Sequence, residues 1–423
     1  MKENLYIQNF GGLKEASVSI NKDFTLFIGP QASGKSVIAK LAFYFKGIVY
    51  GTDLPESISE KDTPESVAKA AAKRFFLIFP VSCWPTETFE LRYEFNGEII
   101  WIKSEFMREE GKHDVEVLLP ASLKKAIENY LDTYRELKAK QKEENMAIDT
   151  FLSDMRILSA AQKAYETSLN AIGIEKHLQY FIVAGRSFFS QLNDNIYPIL
   201  AERHTLDYIL LEFSSIYATA KKISQAVPLE ADVRFRMLTE QVLKGKFLKE
   251  GDKDFLVHND QRKVEVNHAS SGQQEALPLV LIMNVLRHLI VNNGYAFTVY
   301  IEEPEAHLFP ASQKAIVELI AYVANLFPDK LQVILTTHSP FVMTSFNNLI
   351  QAKDCFDEGI EQERIEMIIP QSEWTDFHKV SAYSLNEKGV ASLMDDDMKL
   401  ISTTALDEVA EQISNEFGKL LEL

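Results

Sequence analysis

Gly29-Pro30-Gln31-Ala32-Ser33-Gly34-Lys35-Ser36 fits the phosphate-loop pattern G-x-x-x-x-G-K-[ST] at every fixed position. The pattern has meaning only between a strand and a helix, and both neighbours are there. Phe24-Thr25-Leu26-Phe27-Ile28 is an apolar run of strand type, and Val37 to Phe45 reads as a helix with Lys40 facing out. Such a turn aims backbone N–H groups at an anion, where the helix end adds partial positive charge. Gly29, Pro30, Gln31, Ala32, Ser33 and Gly34 are thus expected to cradle nucleotide phosphates, with Lys35 at the β- and γ-phosphates. The Ser36 hydroxyl is expected to ligate Mg²⁺.

A second apolar run, Ala296 to Ile301, ends in Glu302-Glu303-Pro304-Glu305-Ala306-His307-Leu308. A buried strand that delivers two consecutive acids is a Walker B arrangement. Glu302 would hold Mg²⁺ through water, and Glu303 would orient and deprotonate an attacking water. Paired acids also cap strands or open helices. The third run, Leu331 to Thr337, exits into His338-Ser339-Pro340, which places a histidine where it would contact a γ-phosphate. Upstream, Ala269-Ser270-Ser271-Gly272-Gln273-Gln274-Glu275 precedes the helical run Ala276 to Leu289. Glycine and small residues opening a helix make an anion site. The same residues also fit a plain cap, with Ser270 or Ser271 capping and Gln274 or Glu275 completing a capping box.

Composition narrows the class. The chain has 423 residues, of which 46% are hydrophobic and 25% charged, which suits an ordinary globular protein with room for two or three lobes. No apolar stretch reads as reaching the roughly 18 residues of a membrane span. Met1-Lys2-Glu3-Asn4 leads straight into a strand, so no signal peptide is expected. Cys83 and Cys355 are the only cysteines, too few for a disulfide framework or a cysteine metal cluster, and a reducing cytoplasm is the expected home. A net charge of −17 argues against a general nucleic-acid surface, though not against a local basic groove.

The order of phosphate loop, Ser270-Ser271-Gly272-Gln273, E-E-P-E-A-H-L and T-T-H-S-P resembles the ABC-type ATPase superfamily, and within it the OLD-like ATPases, relatives of SMC and RecF heads. The resemblance covers residues 1 to about 50 and about 265 to 345. It implies an α/β fold, an ABC-type P-loop ATPase head with a mixed sheet, an antiparallel β lobe and an inserted helical hairpin arm. It further implies ATP with Mg²⁺, bound in composite sites where Ser270, Ser271, Gly272 and Gln273 of one protomer close over ATP held by another. Glu303 and His338 would be catalytic, Ser36 and Glu302 the metal ligands. Pro304 to His307 would lie between protomers, and the turn after Leu5 to Phe10 near the adenine.

The remaining stretches set the expected divisions: 1–120 an N-terminal lobe, 121–190 the arm, 191–350 a C-terminal lobe, 351–423 an extension. Residues 75–118 read as short strands, among them Phe75 to Phe79, with Asn96-Gly97 a hairpin turn. Leu123 to Leu137 and about Ile148 to Leu169 read as the helices of the arm. Phe247 to Val266 reads as a hairpin around Gly251-Asp252. Ala184-Gly185-Arg186-Ser187 resembles a segment of stand-alone OLD-like ATPases, in which Arg186 would touch nucleotide, a neighbouring protomer or the arm; a lone arginine is more often a surface or interdomain salt bridge. Gln191 is a candidate lid glutamine. Asp395-Asp396-Asp397 reads as a solvated loop without a strand before it, so no nuclease domain is visible, and Ala405 to Leu421 reads as an amphipathic helix.

A head without a transducing domain of its own would act through partners. The resemblance to stand-alone ATPases of bacterial anti-phage systems, among them the ATPase subunit of the PARIS system, implies a homo-oligomeric sensor, at least a dimer, that controls a separate nuclease or toxin effector. A RecF- or SMC-like DNA-repair or chromosome-maintenance ATPase is the alternative, with DNA binding left open. The nucleotide subunit of a membrane transporter fits less well, because that class usually has an L-S-G-G-Q signature, an aspartate before the catalytic glutamate and a much shorter head; no membrane partner is expected.

Overall fold

The computed structural model describes residues 2–59, 61–85, 88–107, 112–143, 150–191, 207–226, 232–251, 253–386, 389–403, 415–417 and 419–420. They form two compact units, each assembled from two separate stretches. The first comprises Met1–Asn21 with Ser36–Gln179, the second Lys22–Lys35 with Tyr180–Leu423.

The first unit is built on an antiparallel five-stranded sheet in the order β2-β1-β4-β5-β6. Its strands are β1 (Glu3–Phe10), β2 (Leu13–Ser19), β4 (Glu90–Phe95), β5 (Glu98–Met107) and β6 (Lys112–Leu118). Alternation fixes which face is covered: Leu91, Tyr93 and Phe95 of β4 are fully buried while their neighbours are not. The rings of Phe10, Phe75, Phe79, Trp84 and Phe89 cluster beside it. Phe75 to Ile78, expected as a strand, instead ends the helix Pro64–Ile78. Thr63 and Ser66 form a reciprocal capping box, Pro64 opens the first turn and three alanines follow at Ala70 to Ala72, so local capping outweighs the β preference of the phenylalanines. The arm is two helices, Ala121–Glu143 and Thr150–Ala171. They lie side by side through the Lys138–Asp154 ion pair, Gln141 to Ser153 at 2.7 Å and Asn129 to Ser168 at 3.0 Å.

The second unit holds a six-stranded sheet in the order β14-β13-β3-β12-β11-β7. Its strands are β3 (Phe24–Ile28), β7 (His177–Ile182, entering this unit at Tyr180), β11 (Ala296–Glu302), β12 (Leu331–Thr337), β13 (Val380–Asn386) and β14 (Gly389–Ser392). Strands β13, β3, β12 and β11 run parallel, and every residue of β3 and β11 is buried, as a sheet covered on both faces requires. Residues 380–386, distant from every sequence motif, therefore sit directly beside the strand that feeds the phosphate loop.

Helices Tyr208–Ala226, Ser271–Asn293, Pro310–Leu326 and Pro340–Asp357 belong to this unit, with shorter ones at Ser187–Gln191, Val233–Leu243 and Gln362–Glu366. The Ser271–Asn293 helix is long and apolar enough to cross a membrane by composition, contrary to the expectation that no stretch is. Its apolar window is 78% buried inside the protein, as in a core helix. Strands β8 (Lys246–Glu250) and β9 (Lys253–Val257) form the expected hairpin, joined by β10 (Lys263–Glu265). The triad Asp395 to Asp397 follows a strand after all. β13 and β14 form a hairpin, and Asp395 itself pairs in the short ribbon of β15 (Met394–Asp395) with β16 (Leu400–Ile401), leaving Asp396 and Asp397 exposed in its turn. Most of Ala405 to Leu421 lies outside the described residues.

Candidate nucleotide site

Register brings the motifs to one edge. Ile28 pairs with Thr337 and Thr336 with Glu302, so β3, β12 and β11 end level and release the phosphate loop, His338 and Glu303 side by side. This is where parallel α/β sheets open a crevice for ligands. The loop leaves β3 through left-handed residues, Ala32 at φ +60° and Gly34 at +94°. Gly29 has no room for a side chain, because a Cβ there would meet the Leu385 carbonyl oxygen of β13 at 2.2 Å. Lys35, 7% exposed, folds over its own loop and donates to Gly29 O at 2.7 Å and Pro30 O at 2.6 Å. Burial pushes its pKa down, opposed by the negative charges of Glu303 and Glu305. Ser33 Oγ is buried with no hydrogen-bond partner, and Ser36 is exposed at the start of the Lys35–Tyr50 helix.

The acids differ from one another. Glu302 is buried; one oxygen accepts from Ala184 N at 3.2 Å, while Oε1 has no partner. An unpaired buried carboxylate oxygen is costly, and it suits a cation or a water on a cation. Glu303 sits at φ +44°, a region that L side chains rarely adopt outside special sites. Its Oε1 lies 3.6 Å from His338 Nδ1. Glu305, given no individual role in the sequence reading, is buried and accepts from Thr337 Oγ1 at 2.6 Å and His338 N at 3.1 Å. It therefore fixes the turn that presents His338, and its Oε2 also lacks a partner.

Ser270-Ser271-Gly272-Gln273 opens the long helix. Ser270 caps it in a reciprocal box with Gln273, not with Gln274 or Glu275: Gln273 Oε1 accepts from Ser270 N at 3.1 Å. Glu275 is unavailable for capping because its carboxylate turns inward, and Gln274 donates to the Val266 and Asn267 carbonyls. Ser270 and Ser271 are exposed, whereas Gly272 is pressed against the Glu305–His307 turn, where a Cβ would lie 2.6 Å from His307 O. The helix continues through Pro278, which cannot donate to the Gln274 carbonyl four residues back. Ser190 Oγ supplies that bond at 2.7 Å.

Arg186 is fully buried, and its guanidinium donates to the carbonyls of Val183, Glu275, Glu302 and Glu303. Gln191 ends the Ser187–Gln191 helix, and its side chain lies outside the described residues. Glu275, the buried partner of Arg186, was missed in the sequence. The available signal was an arginine in the apolar-flanked Ala184-Gly185-Arg186-Ser187, which demands a distant acid once buried.

Solved structures with a similar course include an SMC head bound to the C-winged helix domain of ScpA, at 15% identity and TM-score 0.41, covering 94% of this chain and 99% of that one. Another is the SMC head domain from Thermotoga maritima, at 14% identity and TM-score 0.37, covering 93% and 98%. A third is the recombination mediator protein RecF of the RecFOR pathway, at 12% identity and TM-score 0.29, covering 93% and 98%. No curated protein sequence matches the chain. The model of the AAA ATPase domain family matches residues 1–204 and again 190–343. Together these matches reach across most of the chain, which belongs to the AAA ATPase domain family and is an ATPase.

Proposed function

We propose that this ATPase hydrolyses ATP in sites shared between protomers and serves as the sensor subunit of a bacterial anti-phage system, controlling a separate nuclease or toxin. The observation that carries the chemistry is the common edge of β3, β12 and β11. There the phosphate loop, the strained Glu303 and His338 emerge together, with an unpaired oxygen of Glu302 beneath. The loop backbone from Gly29 to Gly34 and the Lys35 ammonium bind the phosphates. Lys35 must first exchange its bonds to Gly29 and Pro30 for phosphate oxygens. Glu303 takes the proton of the attacking water, and His338, held by Glu305 and facing Glu303, contacts the γ-phosphate. Ser36 and Glu302 would hold Mg²⁺, which supplies charge neutralisation on the β- and γ-phosphates.

Sharing between protomers is supported by the exposed Ser270-Ser271 end of a 23-residue helix, whose first turn can face phosphate. The sensor role rests on the sequence resemblance. Both parts are tested by tagging Glu303→Gln, purifying it from the native host with ATP and Mg²⁺, and identifying what co-elutes by mass spectrometry. A stoichiometric nuclease or toxin supports the sensor. DNA with replication or repair proteins, and no toxin, replaces it with a repair ATPase. Ser270→Arg should keep ATP binding yet abolish ATP-dependent self-association; unchanged self-association removes the shared site.

A further inference from the structure

Glu303 is held in its strained backbone by one guanidinium. Arg186 Nη1 donates to Glu302 O at 2.8 Å and Nη2 to Glu303 O at 3.1 Å, so a single planar group grips the carbonyls on both sides of the left-handed Cα. The Glu303 N–H is tied to Thr336 O at 2.9 Å, which completes the backbone restraint. The Glu303 side chain is one-third exposed, with His338 Nδ1 at 3.6 Å, so its direction comes from the backbone. Arg186 is itself locked. Its Nε donates to Glu275 O at 2.8 Å, while the Glu275 carboxylate accepts from Arg186 N at 3.1 Å and Ser187 N at 2.7 Å. The same turn donates Ala184 N to Glu302, which leaves the other oxygen of that acid without a partner. A buried ion pair is weak evidence for stability, since apolar residues of similar volume do as well. What apolar residues could not supply is a forked donor to two adjacent carbonyls.

We propose that Arg186, locked by Glu275, is a positioning residue for ATP hydrolysis: it holds Glu303 in the left-handed conformation that aims its carboxylate at the attacking water. The inference rests on Glu303 being the general base. Arg186 acts without touching nucleotide, so its loss changes the hydrolytic step and leaves binding alone.

The test uses the full chain and two readouts: equilibrium binding of Mg²⁺-ATP, and single-turnover hydrolysis per bound ATP. Arg186→Lys keeps the charge but loses the fork. It should bind ATP within about twofold of the parent and hydrolyse bound ATP about 10²-fold more slowly, as a small misplacement of a reacting group does. Glu275→Gln should shift the same rate in the same direction by about tenfold. The decisive variant is Arg186→Lys combined with Glu303→Gln, which should be no slower than Glu303→Gln alone, because both act through one carboxylate. Parent-like hydrolysis in Arg186→Lys overturns the proposal. So does loss of ATP binding together with the rate in both single variants, or a double variant slowed by the product of the two effects. Parent-like turnover in Glu303→Gln alone fails the general-base reading instead, and is seen before any Arg186 variant is made.

Discussion

Glu3 in the first unit and Glu302 in the second are both buried carboxylates at strand ends, but their surroundings differ. Glu3 is closed: Lys46 Nζ meets Oε2 at 2.8 Å and Tyr93 OH meets Oε1 at 2.6 Å. Arg74 and Asp53 nearby are joined by two bonds of 2.7 and 2.8 Å. Around Glu302 the polar groups are as deeply buried, yet Glu302 Oε1, Glu305 Oε2 and Ser33 Oγ have no partner. A closed buried network serves the fold alone. On the function proposed above, a nucleotide and its cation would supply the partners of these three atoms.

Four substitutions separate the two networks. Glu303→Gln, on the open side, should lower ATP turnover by about 10²–10⁴-fold with nucleotide binding retained, measured as phosphate release beside a binding isotherm. Fast turnover there would leave the open network without a chemical purpose. Lys46→Met, on the closed side, leaves Glu3 buried without its counter-ion and should cost about 3–5 kcal/mol in urea unfolding, with turnover per folded molecule unchanged. Glu302→Gln distinguishes the two networks most directly. Removing an unsatisfied charge should stabilise the nucleotide-free protein by about 1 kcal/mol while abolishing the added stability that Mg²⁺-ATP confers. A loss of nucleotide-free stability would mean that the open side is closed by bonds of its own. Ser270→Ala should have the smallest effect, about 1 kcal/mol from the lost cap, read by thermal unfolding without nucleotide.

The parts legible in the sequence are those whose chemistry is local. The phosphate loop needs particular backbone angles and a particular lysine at fixed spacing, and β11 and β12 announce themselves as unbroken apolar runs. Asn96-Gly97 turns the β4–β5 hairpin at φ +48° and +84°, as the dipeptide predicts. The arm helices follow from their periodicity. Phe75 to Ile78 was misread because aromatic β preference is weak against a good cap upstream. The place of β13 beside β3 was illegible, since nothing in Val380–Asn386 names a partner so far away in sequence. What Glu275 and Glu305 bond was illegible because the Arg186–Ser187 main chain and the Thr337–His338 turn lie far away in sequence, and such contacts leave no motif.

Strand β3 has a consequence for how the protein is made. It emerges early, yet its sheet neighbours are β12, which begins at Leu331, and β13, which begins at Val380; Thr25 meets the hydroxyl of Ser381 across 356 residues of chain. At roughly 5–20 residues per second, a ribosome needs about 18–70 s to deliver the second neighbour after the first strand has emerged. Through that interval the phosphate loop has no finished strand behind it and no Leu385 carbonyl against Gly29. A chain cut short before residue 380 should therefore be a poor nucleotide binder despite carrying every recognisable motif.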